Sequence, residues 1–343
     1  MSHPEVENNS PFEFEQLYLT NEDGYPIVVL IVKATYTIGN SLTLAEEQRP
    51  VIWDGEYYGP PETSSQKYEP ETAFIKPSTD VALIGSAYPK RAGDRQVDVT
   101  LRVGEELQKT ARVFGDRKYV KRMGIVDMTN PEPIEQVPLI YERAFGGWDS
   151  AEPDPMNCKF EPKNPVGCGF KRNEWEEGLP VPNIEDPKNL LGTYGSSAPP
   201  VGFGFLLPHW LPRSKYVGTY DQKWEDERSP LLPTDFDIRF FNAASSGLIS
   251  KEYLKGDETV SIENASPNGS INFNLPGISP PQIRIRLRGP KDETLSTNLD
   301  TVIINTDENV LQMLWRTNMV VNNGPHDVQL IEINANVPET LSK

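Results

Sequence analysis

The first 45 residues alternate apolar and polar side chains in short bursts separated by turn signals. FEFEQLYL (12–19) runs into Asn21-Glu22-Asp23-Gly24 and then YPIVVLIVKATYTI (25–38), a succession that predicts a β-hairpin. Gly39-Asn40 turns the chain into SLTLA (41–45), a third strand of the meander. From Val28 to Val32 both faces are apolar, so this strand is expected to be covered on both sides. Further strands are predicted at TDVALIGSAYP (79–89), QVDVTLRVG (96–104) and TARVFGDRKYV (110–120), and later at SIENASPNGSINFNLPG (261–277) and QIRIRLRG (282–289). In the tail (300–338), Leu311, Leu314 and Trp315 would also suit one face of a helix, but the flanking β-branched runs favour strands throughout. No 3.6-residue period persists beyond three turns, so helices should be few.

Between these regions the pattern stops. Sixteen of the 32 prolines and four of the six tryptophans fall between Pro131 and Pro233. Proline has no N–H for a helix or an inner ladder, so the run must cross the molecule as extended or turning chain. Disordered linkers lack large apolar anchors, whereas Trp148, Phe170, Trp175, Phe203, Phe205, Trp210, Tyr220 and Trp224 recur here. The predicted architecture is all-β, mainly antiparallel and sandwich- or barrel-like, with a long ordered Pro/Gly/Trp-rich wrapping segment. The expected divisions are a disordered N-terminus (1–10), an antiparallel body (11–130), the wrapping segment (131–245) and a C-terminal β region (246–343) packed on the same body.

A net charge of −17 argues against nucleic-acid binding, although the stretch from Pro89 to Arg122 holds ten Lys or Arg against five Asp or Glu. That local excess fits a solvated strand face or a docking patch for an acidic partner. The N-terminus has no signal-peptide pattern, and the longest apolar run is six residues against the roughly 20 that span a bilayer, so a cytoplasmic protein without membrane contact is expected. Cys158 and Cys168 are expected to be free thiols, and His3, His209 and His326 are too scattered for a metal motif.

PVGCGF (165–170) and PVGFGF (200–205) contain Gly-x-Gly pairs, but neither has the third glycine or the Lys-Ser of a phosphate loop. Their glycines are expected where backbone must take positive φ or approach closely. TDFDIRFF (234–241), read as a strand, puts Asp235, Asp237 and Arg239 on one face, either as a structural ion-pair network or as the carboxylate pair of a glycan-binding protein or glycoside hydrolase. QIRIRLR (282–288) lines up Arg284, Arg286 and Arg288, which need either acidic residues on the neighbouring strand or an acidic partner. Trp210, Arg213, Tyr220, Asp221 and Trp224 are the expected anchors of the wrapping segment. No catalytic, cofactor or metal motif emerges.

The succession YERAFGG (141–147), NPVGCGF (164–170), LPVPNIEDP (179–187), PPVGFGFLLPHWLPR (199–213), GTYDQKW (218–224) and LPTDFDIRFFNAA (232–244) resembles a family of unknown-function proteins encoded beside type VI secretion effectors in proteobacteria. VKATYTI (32–38), Gln48 with Pro50-Val51, YYGPPE (57–62), IKPSTDV (75–81), GDRKYV (115–120), YLKGDE (253–258) and NFNLPG (272–277) extend the resemblance over most of the chain. It implies a non-catalytic, cytoplasmic adaptor or chaperone whose partners are an effector toxin and the valine-glycine repeat spike protein. Two departures stand out: Cys168 replaces a common Arg, and AASSGLIS (243–250) replaces an Ala-Pro-x-Asp-Gln run.

Overall fold

The computed structural model describes residues 4–338 and 341, apart from 155, 173–174 and 290–291. Its organising element is the strand Pro26–Ile38, thirteen residues long and buried on both faces. It pairs antiparallel with Glu13–Thr20 on one side and Val310–Val320 on the other, and Leu42–Leu44 folds back on its end. Asn298–Asn305 and Asp80–Ile84 complete this six-stranded sheet, the last pair running parallel. First and last thirds of the chain are therefore interleaved in one sheet.

Strand alternation sends the two faces of Pro26–Ile38 into different cores. Val28, Leu30, Val32, Ala34 and Tyr36 pack against a five-stranded sheet through Val99, Leu101, Val260 and Ile262, and against a four-stranded sheet through Ile283, Ile285 and Ile331. The result is a β-sandwich. On the opposite face Ile27, Val29 and Ile31 pack with Ala82, Ile303 and Leu314 beneath Val51, Phe74, Phe205 and Ala243, which come from loops. The tail is strand throughout, and Leu311, Leu314 and Trp315 all lie buried in Val310–Val320. Gln222–Glu227 is the one α-helix among the described residues.

Two sequence expectations need correction. The N-terminus is not disordered over 1–10: Glu5–Asn8 forms a strand parallel to Val328–Asn334. All four side chains are exposed, so the pairing rests on backbone bonds to an otherwise open strand edge and leaves no hydrophobic trace in the sequence. Residues 1–3 lie outside the described residues. TDFDIRFF is not a strand either, because Asp237 accepts a hydrogen bond from the Arg239 amide and caps a 3₁₀ turn at Ile238–Phe241.

Beyond Ile31 the loop-covered face of the long strand turns polar, and the chain buries a network of charges there. Lys33 donates to both carboxylate oxygens of Glu71 (2.7 and 2.8 Å) and to the Pro50 carbonyl (2.9 Å), while Glu71 accepts the Ile52 amide at 2.8 Å. Arg316 pairs with Asp300 and donates to the Glu71 carbonyl at 2.8 Å. Lys76 reaches Glu69, Asp80 (2.8 Å) and Thr301 (3.1 Å), and Asp80 also holds the Asn242 amide group and the Ala243 N–H. Burial would push the Lys76 amine down, but Asp80 and Glu69 outweigh it and hold the ammonium above the usual lysine value. Burial pushes Glu71 up, against the pull of Lys33.

This network ties the 50–77 loop to the sheet, so removing one partner should strand a buried charge. Lys33→Met is expected to cost about 3–5 kcal/mol, and adding Glu71→Gln should recover most of the loss. Urea unfolding of the single and double variants measures both values.

Candidate functional site

Residues 131–245 carry few ladder bonds, and the proline-rich backbone is satisfied instead by side chains. Asn164 donates to the carbonyls of Tyr141 (2.8 Å) and Phe145 (3.0 Å). Asn183 donates to the Phe114 carbonyl at 3.1 Å and to Asp116 at 2.9 Å, and accepts from Arg143 at 3.1 Å. Glu142 takes the Ser65 amide and hydroxyl at 2.6 and 2.7 Å. Arg117 forms a buried pair with Glu185, whose second oxygen accepts the Leu191 amide at 2.6 Å. Each buried carbonyl or amide that proline leaves without a ladder partner must find one elsewhere, and Asn, Glu and Arg supply it.

The glycine motifs meet at one place. Phe145–Gly146 pairs parallel with Cys168–Gly169, bringing 141–147 against 164–170. A Cβ on Gly146 would lie 2.1 Å from the Asn164 carbonyl oxygen, and one on Gly167 2.7 Å from that of Ala144. In the second motif Gly202 takes an ordinary negative φ, but its Cβ position lies 2.5 Å from the Tyr141 ring. Tyr141 in turn packs edge-on against Trp210 at 5.5 Å, both buried. Close approach, more than positive φ, sets these glycines.

Beside this junction opens a cleft of about 300 Å³, walled by Gly147, Cys168 and Phe170, by Tyr119 and Tyr194, and by His209 with Trp210. Trp148 stands at its rim, 53% exposed, bridged to an equally exposed Phe160. The Tyr119 ring comes from the hairpin of Arg117–Arg122 and Ile125–Met128. That hairpin projects exposed Lys118, Lys121 and Arg122 and ends in fully exposed Met123 and in Ile125. Burial pushes the Cys168 thiol up to about 12, and His209 is lowered by burial while its Nε2 accepts from Trp210 Nε1 at 3.1 Å. Arg172 lies 3.8 Å from Glu176.

The residues singled out in the sequence scatter. Trp210 and Arg213 are buried; Arg213 donates to the Phe240 and Leu206 carbonyls (3.1 and 2.5 Å) and lies 5.2 Å from the Phe240 ring. Tyr220 is half exposed and packs only locally on Trp224, whose Nε1 donates to the Leu231 carbonyl, while Asp221 caps the short helix. Trp148, expected as an anchor, is a surface residue. Asp235 is engaged by the amide and hydroxyl of Thr219 (2.9 and 2.7 Å), and Asp237 by Arg239, so hydrogen bonds hold both carboxyls below the usual range. Arg284 is compensated by Asp292 at 2.6 Å and Glu332 at 3.3 Å on the two adjacent strands; Arg286 is exposed opposite Asp292, and Arg288 lies past the strand end. Sequence reading missed Asn164, Asn183 and Glu142, since a lone polar residue in a loop carries no periodic signal.

Both cysteines are free thiols. Among the described residues no cluster of His, Cys, Asp and Glu could hold a metal ion, and no helix is long and apolar enough to cross a membrane. A family model described as an uncharacterized protein conserved in bacteria (DUF2169) matches residues 23–316. The chain belongs to this family. No curated protein and no solved structure matches it. The family description carries no activity.

Gly202→Ala should destabilise the protein by about 1–3 kcal/mol because the Tyr141 ring is pinned against Trp210. Gly204→Ala, whose Cβ would meet nothing closer than 3.9 Å, should change stability by no more than about 0.5 kcal/mol by thermal denaturation. Native Cys168 should alkylate with iodoacetamide at pH 8 on the order of a thousandfold more slowly than an ordinary thiol, followed by mass spectrometry.

Proposed function

We propose that this DUF2169 protein is a non-catalytic adaptor that holds a toxin destined for type VI secretion and presents it to the valine-glycine repeat spike in the cytoplasm. The resemblance of its motif succession to effector adaptors supplies the partner class. The observation that carries the reading is the rim of the cleft: Trp148 and Phe160 face solvent on a backbone fixed by buried glycines and asparagines. Large aromatics held rigid at the surface are what protein interfaces use as anchors. The polar groups around them are poor catalysts, since the Cys168 thiol stays protonated and His209 has its Nε2 occupied.

The glycosidase reading loses support from the same geometry. A general acid needs a raised pKa, and Asp235 and Asp237 are both lowered by separate partners.

The hairpin tip supports protein contact as well. Met123 occupies a left-handed conformation (φ 49°) in a two-residue turn that favours Asn or Gly, and is fully exposed. A strained, exposed apolar residue contributes nothing to stability here, which leaves contact with a partner as what its side chain can supply.

Co-expressed with a type VI effector toxin of its own host, the chain should purify as a complex. Trp148→Ala with Phe160→Ala should weaken that complex by about tenfold or more while leaving the thermal midpoint unchanged. Met123→Asn should raise stability by roughly 1 kcal/mol. Absence of a complex, or glycan binding with no protein partner, would overturn the adaptor reading.

A further inference from the structure

A second cavity lies on the other side of Tyr141. It measures about 270 Å³ and is lined by Lys109, Lys163 and Lys215, by the hydroxyl-bearing Tyr141 and Ser245, and by prolines and leucines including Pro199, Pro212 and Leu206. No carboxylate lines it. In a chain of net charge −17 that is an unusual composition, and among the described residues none of the three lysines forms an ion pair, although exposed carboxylates are abundant elsewhere.

The deepest of the three is held in place by the protein. Lys109 leaves the Leu107–Phe114 strand, and its ammonium donates to the Ser245 hydroxyl at 2.5 Å and to the Ser246 carbonyl at 2.8 Å. Ser245 and Tyr141 are themselves buried, and the Tyr141 hydroxyl neighbours Ser245. One fixed amine, the Ser245 hydroxyl and two exposed lysines thus converge on a space with apolar walls. Their charges are of one sign, and no carboxylate lining the cavity offsets them, so an anion seated there meets attraction from all three sides.

We infer that this cavity is a binding site for a small organic anion, a carboxylate or phosphate carried on an apolar frame, seated on Lys109 and Ser245 with Lys163 and Lys215 closing over it. The inference does not depend on the adaptor reading, which concerns the other cleft.

Burial pushes the Lys109 amine down to about 7, with Asp186 the nearby carboxylate that opposes the shift; Tyr141, Lys163 and Lys215 are the other titratable groups lining the cavity. A bound anion favours the ammonium form, so anion binding should take up a proton and tighten as pH falls through 7.

Isothermal titration of the full chain with succinate, citrate and inorganic phosphate, each against NaCl at matched ionic strength, tests this at pH 6.5 and 8.5. Saturable one-site binding is expected for at least one of them, and the preference between the carboxylates and phosphate identifies the ligand's head group. The site should be weaker at pH 8.5, and Lys109→Met should lower the affinity about tenfold or more. Lys215→Glu, at an exposed position, should have an effect of the same sign. No saturable binding by any of the three, or binding indifferent to both substitutions, would overturn the proposal.

Discussion

Lys76 is buried almost completely, with two carboxylates on its ammonium, and much of the molecule is arranged to make that tolerable. A charge in this position costs several kcal/mol unless its partners are fixed in turn. Asp80 is fixed by Asn242 and the Ala243 amide, and Thr301 links Lys76 to Asp300, whose other oxygen holds Arg316. Arg316 then reaches the backbone of the segment that carries Glu71, and Glu71 holds Lys33. With Arg213 lying in the field of Glu69 and Asp80, four cations (Lys33, Lys76, Arg213, Arg316) face four carboxylates (Glu69, Glu71, Asp80, Asp300). Within this cluster the charge balances; the buried Arg117–Glu185 pair cancels too, and Asp149 adds one more buried carboxylate. What the lattice secures is geometry: an apolar cover could slide over the sheet, whereas ion pairs and amide bonds fix the 50–77 loop and the 242–243 backbone at one register.

The same rule in a neutral form governs residues 131–245. Proline removes donors, so the buried carbonyls there cannot be paired by forming more sheet. Asn164 and Asn183, each inserted between two segments, act as cross-links with directional bonds at both ends. Glycines at 146, 147, 167 and 202 let the segments approach closely enough for those bonds to form. Rigidity at the rim of the cleft follows from this, because Trp148 follows directly on two glycines that have no room to move. An aromatic ring on such a support loses little entropy when it meets a partner.

The sandwich was legible because its strands are half-buried or fully buried surfaces, and burial writes a period-2 or continuous apolar pattern. Pro26–Ile38 could be assigned from the β-branched and aromatic run 25–38, and its two covered faces from residues 28–32. Glu5–Asn8 was illegible for the complementary reason, since its pairing buries no side chain. TDFDIRFF misled because an alternating pattern says nothing about whether a side chain will capture the backbone, and Asp237 does so at its own 3₁₀ turn. The buried charges were invisible as well. Lys33 looks like a surface residue at the end of an apolar run, and only the pairing of distant segments reveals Glu71 opposite it. The lysine cavity joins positions 109, 163, 215 and 245, and no local pattern relates them.

Charge balance inside the protein has a consequence outside it. Since the buried cations nearly cancel the buried carboxylates, and the Arg284 charge is absorbed by its neighbouring strands, nearly all of the net charge of −17 resides on the outer surface. At physiological salt that field decays over about 8 Å, so a partner is steered by it only on close approach, and a basic partner is favoured. The basic hairpin and the lysine cavity are local exceptions within this acidic envelope. They act at contact range and discriminate between molecules already in place. For the small anion inferred above, the outer field opposes approach, and affinity has to come from the ammonium groups at contact range.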